Sequence, residues 1–191
     1  MAVRRRHIRS VVEQLLDAHN LYAVPVDVAH IATALNVQIH NDTAAADNLS
    51  GFLLRDVNNR RALIGVNSTH TPTRKRFTVA HEIGHLLLHE GEVLHVDQRN
   101  GIDLGFRIKR RDLASSLGTD EEEQEANFFA AELLMPSSLL EADLLEIKAA
   151  MPEDEGEALE DEVLVEKLAV RYEVSVQAMT LRLTNLGLIH L

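Results

Sequence analysis

His81-Glu82-Ile83-Gly84-His85 is the stretch of this chain whose residue types and spacing could do chemistry. Two histidines four apart share one face of a helix, about one turn from each other. Their ring nitrogens can converge on one zinc ion (Zn²⁺) at about 2.0–2.1 Å. Glu82 falls near the same ion, where a carboxylate can take a proton from activated water and hand it to a leaving amine. The bare pattern can arise by chance, so its surroundings decide. Phe77, Val79, Ala80, Ile83, Leu86, Leu87 and Leu88 predict a well-buried helix around it. A core does not take in a carboxylate beside two imidazoles without compensation, because an unpaired buried charge is costly. Gly84 costs about 1 kcal/mol relative to alanine in a helix, which fits a place where something approaches closely.

A catalytic zinc needs a third protein ligand and an open fourth position. His89 is excluded, because eight residues of helix separate it from His81, about 12 Å along the axis. His70 and His95 remain within reach. Leu88 and Gly91 stand where the extended metzincin motif needs glycine and histidine. Better candidates crowd the start of a helix expected over 121–135: Glu121, Glu122, Glu123 and Glu125. Carboxylates at a helix N-terminus are ordinary. Glu123 and Asn127, however, share a face just before the apolar run Phe128-Phe129-Ala130-Ala131. That spacing puts a carboxylate on the metal and an amide behind it, able to orient His81 or His85. Glu122 or Glu125 in place of Glu123 stays open. For transition-state stabilisation the chain offers His70, His89, His95, Arg107 and Tyr172.

The elements that must position these groups are mixed. Residues 5–19 predict an amphipathic helix, with Ile8, Val11, Val12, Leu15 and Leu16 at helical spacing. Pro25 opens a second helix, and Val37–His40 reads as a short strand. Residues 43–48 read as a loop. Ser50–Arg55 and Arg61–Val66 flank turn chemistry at 56–60 and predict a hairpin. Arg61–Val66 is a candidate edge for holding an extended peptide by strand addition, or else a plain sheet strand. The metal helix runs from Arg74 to about His89. Glu92–Val96 and Gly105–Lys109 could be short strands. Pro136 ends the 121–135 helix, and another follows over 137–150. The acidic run 152–162 reads as a linker merging into a helix, and 164–191 as helix, turn, helix and a short strand. This gives an α+β chain in two parts: 1–150, holding the metal helix, and 151–191, a helical segment resembling a helix-turn-helix.

Composition removes several function classes. The 191 residues include no cysteine, so disulfides, thiolate zinc sites and a cysteine nucleophile are excluded. No apolar run approaches the roughly 18 residues that span a bilayer, and no apolar signal core follows Arg4-Arg5-Arg6. A cytoplasmic protein without membrane contact is expected. The net charge is −11, which repels nucleic acid. The second helix of the C-terminal segment offers Arg182 as its one base-reading cation, so direct nucleic-acid binding is not expected. Arg4-Arg5-Arg6 reads as a solvated helix end.

The run RFTVAHEIGHLLLH over 76–89, followed by EQEANFFAAELLMP over 123–136, resembles the ImmA/IrrE family of metallopeptidases. The likeness extends upstream through PVDVAHIATAL, SGFLLRD and IGVNSTHTPTRKRFT, and downstream through LAVRYEVSVQAMTLRLTNLGLI. It implies a compact zincin-like fold of the gluzincin kind, a small antiparallel or mixed sheet packed on the active-site helix. It implies His81, His85 and Glu123 as zinc ligands, Glu82 as general base and Asn127 behind a ligand. It also implies an endopeptidase that cuts a helix-turn-helix repressor of the XRE type, in stress response or on a mobile element. The alternative is a DNA- or partner-binding regulator, or a toxin–antitoxin component, whose zinc is structural. Intact Glu82 favours the enzyme, since a structural site needs no general base.

Overall fold

The computed structural model of the chain describes residues 3–42, 49–56, 61–89, 94–98, 120–149 and 157–189. Helix α1 (Arg5–His19) buries Ile8, Val12, Leu15 and Leu16, one stripe of an amphipathic helix. Helix α2 (Val28–Ala34) begins after Asp27 rather than at Pro25. The Asp27 carboxylate accepts from the backbone N–H groups of Ala29 and His30 at 3.0 and 2.9 Å, satisfying donors the helix itself leaves open.

Four strands follow: β1 (Val37–Asp42), β2 (Leu49–Asp56), β3 (Arg61–Asn67) and β4 (Leu94–Gln98), in the order β1-β3-β2-β4. The expected hairpin is present, with Leu54 opposite Leu63 and Arg55 opposite Ala62 in antiparallel register. β1 joins β3 in parallel, and β4 joins β2 antiparallel. β3 therefore lies inside the sheet with both sides paired, and Arg61–Val66 is not an edge that can accept a peptide strand. The expected strand at Gly105–Lys109, the loop at 43–48 and Arg107 lie outside the described residues.

Helix α3 (Pro72–Leu88) starts at Thr71, whose hydroxyl accepts from the Arg74 N–H, with proline in the first turn where no donor is missed. Among the described residues four more helices follow in this mixed α+β chain: α4 (Asp120–Leu134), α5 (Ser137–Ala149), α6 (Glu157–Arg171) and α7 (Val176–Leu186). After α7 the chain turns at Gly187, φ 70°, and residues 187–189 form no strand. One apolar cluster joins Ile83 of α3 and Phe129 of α4 to Leu53 and Ile64 of the sheet and to Leu168 and Leu183 of α6 and α7. Among the described residues no helix is long and apolar enough to cross a membrane.

Glu132 ties the helices together. Its carboxylate pairs with Arg182 of α7 at 2.8 Å and Arg9 of α1 at 3.3 Å. It also accepts from the N–H and hydroxyl of Ser137 at the start of α5. Arg182 further donates to the Met135 carbonyl at 3.1 Å and is 4% exposed. The one cation offered to DNA by the helix-turn-helix reading is thus spent inside the protein.

Gly84 sets the spacing of α3 and α4. A Cβ there would stand 3.1 Å from the Ala126 Cα and 3.1 Å from the Phe129 ring. Gly84→Ala gains about 1 kcal/mol of helix propensity but forces the crossing apart, at roughly 1–3 kcal/mol. We expect a small change in melting temperature and a larger loss of metal affinity, because α4 carries Glu123. Thermal melts and zinc titration of one sample check both.

Candidate metal centre

α3 turns His81 and His85 toward α4, with exposures of 3% and 2%, and buries Glu82 completely. α4 brings Glu123 across the crossing. The His81 and His85 Nε2 atoms are 3.0 Å apart. Each is 3.4 Å from a different oxygen of Glu123. Ligands around a tetrahedral zinc at about 2.0–2.1 Å stand about 3.3–3.4 Å from one another, so the three side chains are close to the spacing such an ion needs, the two imidazoles having to part by a few tenths of an ångström. His81, His85 and Glu123 are the group of potential metal ligands found among the described residues.

Asn127, one turn after Glu123, places its amide oxygen 3.1 Å from His81 Nδ1. An oxygen acceptor there keeps the proton on Nδ1 and leaves the Nε2 lone pair facing His85 and Glu123. Glu82 lies against β2. A Cβ on Gly51 would overlap the Thr78 side chain and stand 3.4 Å from Glu82 Oε1, so the strand passes this close only because residue 51 is glycine.

The other candidate carboxylates go elsewhere. Glu125 meets Arg4 at 2.6 Å, and that hydrogen bonding holds its carboxyl at about 2 despite burial. Glu122 lies within electrostatic reach of His89 and Arg55. Arg4 is therefore a half-exposed helix end that is also paired. It also reaches the Leu88 carbonyl at 3.4 Å. Arg55 of β2 donates to the carbonyls of His85 and His89 at 2.6 and 3.2 Å. Two cations thus close the C-terminal end of the metal helix, where the free carbonyls and the helix dipole favour positive charge. No motif in the sequence marks either arginine for this place.

His89 caps α3, its ring 5.4 Å from that of His85. Burial lowers its pKa below the usual value, against the pull of Glu122 and Glu125. Tyr172 is fully buried in the apolar cluster, where burial first and Asp143 second raise its hydroxyl pKa. It cannot meet a substrate. His70 lies half-buried in the turn before α3, and β4 carries the His95 backbone.

Glu123→Ala should lower zinc affinity by more than about 100-fold, and Asn127→Ala by about 10–100-fold, the cost of losing a partner behind a ligand. Glu122→Ala should leave it near wild type. Competition with a chromogenic chelator ranks the three.

Compared with protein families, the chain matches the peptidase M78 family, described as the IrrE N-terminal-like domain, over residues 32–184. No curated protein matches it.

Proposed function

Since the chain belongs to the peptidase M78 family of IrrE N-terminal-like domains, a metallopeptidase family, we propose that it is a zinc-dependent endopeptidase. In this reading His81, His85 and Glu123 hold the metal and Glu82 moves the proton. The observation that carries it is the convergence of the His81 and His85 Nε2 atoms and the two Glu123 carboxylate oxygens at 3.0–3.4 Å, with the Glu82 carboxylate buried on the same helix.

Bound zinc would supply Lewis acidity and lower the pKa of water to about 7. The chain's own residues do the rest. Asn127 fixes the His81 tautomer. Glu82, held between α3 and β2, accepts a proton from the attacking water and returns it to the departing amine. Its surroundings exclude bulk solvent, which strengthens each electrostatic interaction there. Among the described residues β4 stands at the margin of the sheet beside β2, the strand that lies against Glu82. It is the strand we assign to hold an extended peptide by main-chain pairing.

The substrate we propose is a cytoplasmic helix-turn-helix repressor of the XRE type, which rests on the family resemblance. Direct binding of DNA by this chain is the less favoured reading, since Arg182 is buried and paired with Glu132. The test is incubation of zinc-loaded protein with the product of a neighbouring repressor gene, with fragments identified by mass spectrometry. One cut, abolished by chelation and restored by zinc, is expected. Cleavage indifferent to chelation would remove the metallopeptidase reading, and an uncut repressor would remove this substrate.

A further inference from the structure

A cleft of about 360 Å³ opens beside the metal centre, between α1, α3, α4 and α7. Phe77, Phe128 and Ala131 form one wall, and Ala178, Leu181 and Leu186 another. Asn127 lines the same cleft, and its amide oxygen is the atom 3.1 Å from His81 Nδ1. The Phe77 ring centroid is 6.3 Å from that of His81. Phe77 and Asn127 thus flank His81, so the cleft and the ligand triad share a wall. Leu181 is 62% exposed at the opening, a large apolar side chain beside other apolar side chains.

The rim is basic on an otherwise acidic protein. The Arg5 and Arg9 guanidinium groups lie 5.6 and 5.8 Å from the Phe128 ring centroid. Arg9 is already paired with Glu132. Arg5 is exposed, and among the described residues no carboxylate pairs with it. An apolar cavity with one cation at its mouth matches a bulky apolar side chain next to a carboxylate. The volume fits, since ligand pockets begin near about 300 Å³. Phe77 and Asn127 stand between His81 and the cleft, and an extended peptide advances about 3.3 Å per residue, so the residue assigned to the cleft is one offset from the cleaved bond rather than one at it.

We propose that the cleft is a specificity subsite for the peptide substrate, taking a bulky apolar residue one or two positions from the cleaved bond and pairing an adjacent substrate carboxylate with Arg5. The proposal rests on the endopeptidase reading and names what that enzyme selects.

The test measures binding rather than turnover. Full-length, zinc-loaded Glu82→Gln protein is titrated into three fluorescein-labelled decapeptides of glycine and serine, carrying a central Leu-Glu, Ala-Glu or Leu-Lys pair. Anisotropy should show the Leu-Glu probe binding at least about tenfold tighter than the other two, as expected for filling an apolar pocket. Ala178→Phe, which fills the cleft, should erase the leucine preference. Exposed Leu181→Asn serves if Ala178→Phe fails to fold. Arg5→Glu should reverse the preference between Leu-Glu and Leu-Lys. Equal binding of all three probes, or preferences untouched by these changes, overturns the subsite. So does a dimer that Leu181→Asn dissociates, since the cleft would then serve a second copy. Selective binding by a protein whose wild type cuts nothing keeps the subsite and removes the peptidase reading. Cleavage of a protein substrate without selective probe binding does the reverse.

Discussion

Glutamine in place of Glu82 is expected to reduce peptide hydrolysis by roughly 10²–10⁴-fold, the span a positioned acid–base group contributes, with zinc content unchanged. The change keeps the volume and replaces a carboxylate that can accept a proton with a neutral amide that cannot, in a side chain lying against Gly51 of β2. Metal content should hold because the group able to hold the ion is His81, His85 and Glu123, without Glu82. Stability should hold or rise, since a neutral amide costs less to bury than a carboxylate. Single-turnover cleavage of the repressor, with zinc measured on the same sample, checks this. Full activity in Glu82→Gln would place the proton route elsewhere, and lost zinc would make Glu82 part of the metal's support.

The second large effect is on stability. Arg182→Met should cost about 3–5 kcal/mol at neutral pH, because it strands a buried carboxylate whose partner has gone. Glu132 and Arg182 expose 5% and 4% of their side chains, so water cannot compensate. Arg9 at 3.3 Å and Ser137 keep part of the compensation. The pH dependence has a definite sign. Burial raises the Glu132 carboxyl pKa, but the charge and hydrogen bond of Arg182 and the bonds from Ser137 outweigh it, and the net pKa is lowered. A depressed carboxyl contributes stability that is complete above the unfolded value, about 4.3, and is lost as pH falls through the folded value. In Arg182→Met burial prevails, and protonation relieves the stranded charge. The gap in melting temperature between wild type and variant should therefore be widest near neutral pH and narrow on acidification. A gap that stays constant with pH would show that Arg182 acts through packing alone.

How much was legible depended on the range of the interactions. α1 ends at the expected residues because Ile8, Val12, Leu15 and Leu16 recur on one face, a local signal. α2 starts later than expected because Asp27, not Pro25, holds the open N–H groups. The hairpin was legible from its turn chemistry. The inner position of β3 was not, since Ala62, Ile64 and Val66 alternate as they would in any half-buried strand, and β1 joins from earlier in the chain. His81, Glu82 and His85 announce themselves within five residues. Preferring Glu123 over Glu122 and Glu125 needed the helical face shared with Asn127, and the structure turns that face to the histidines. The bond from Arg4 to Glu125 crosses 121 residues, and no local pattern encodes it.

The α3–α4 crossing at Gly84 would make metal loading and folding one equilibrium. Two of the candidate ligands stand on one helix and the third on its neighbour, so an ion bound there would act as a clasp across a close-packed crossing of the core. A ligand that binds only the folded chain adds about 2.7 kcal/mol at a hundred times its dissociation constant. Zinc supply would then set how long the chain survives as well as how fast it works. Stripped protein should melt earlier and be digested sooner by an unrelated protease, and adding zinc back should delay both.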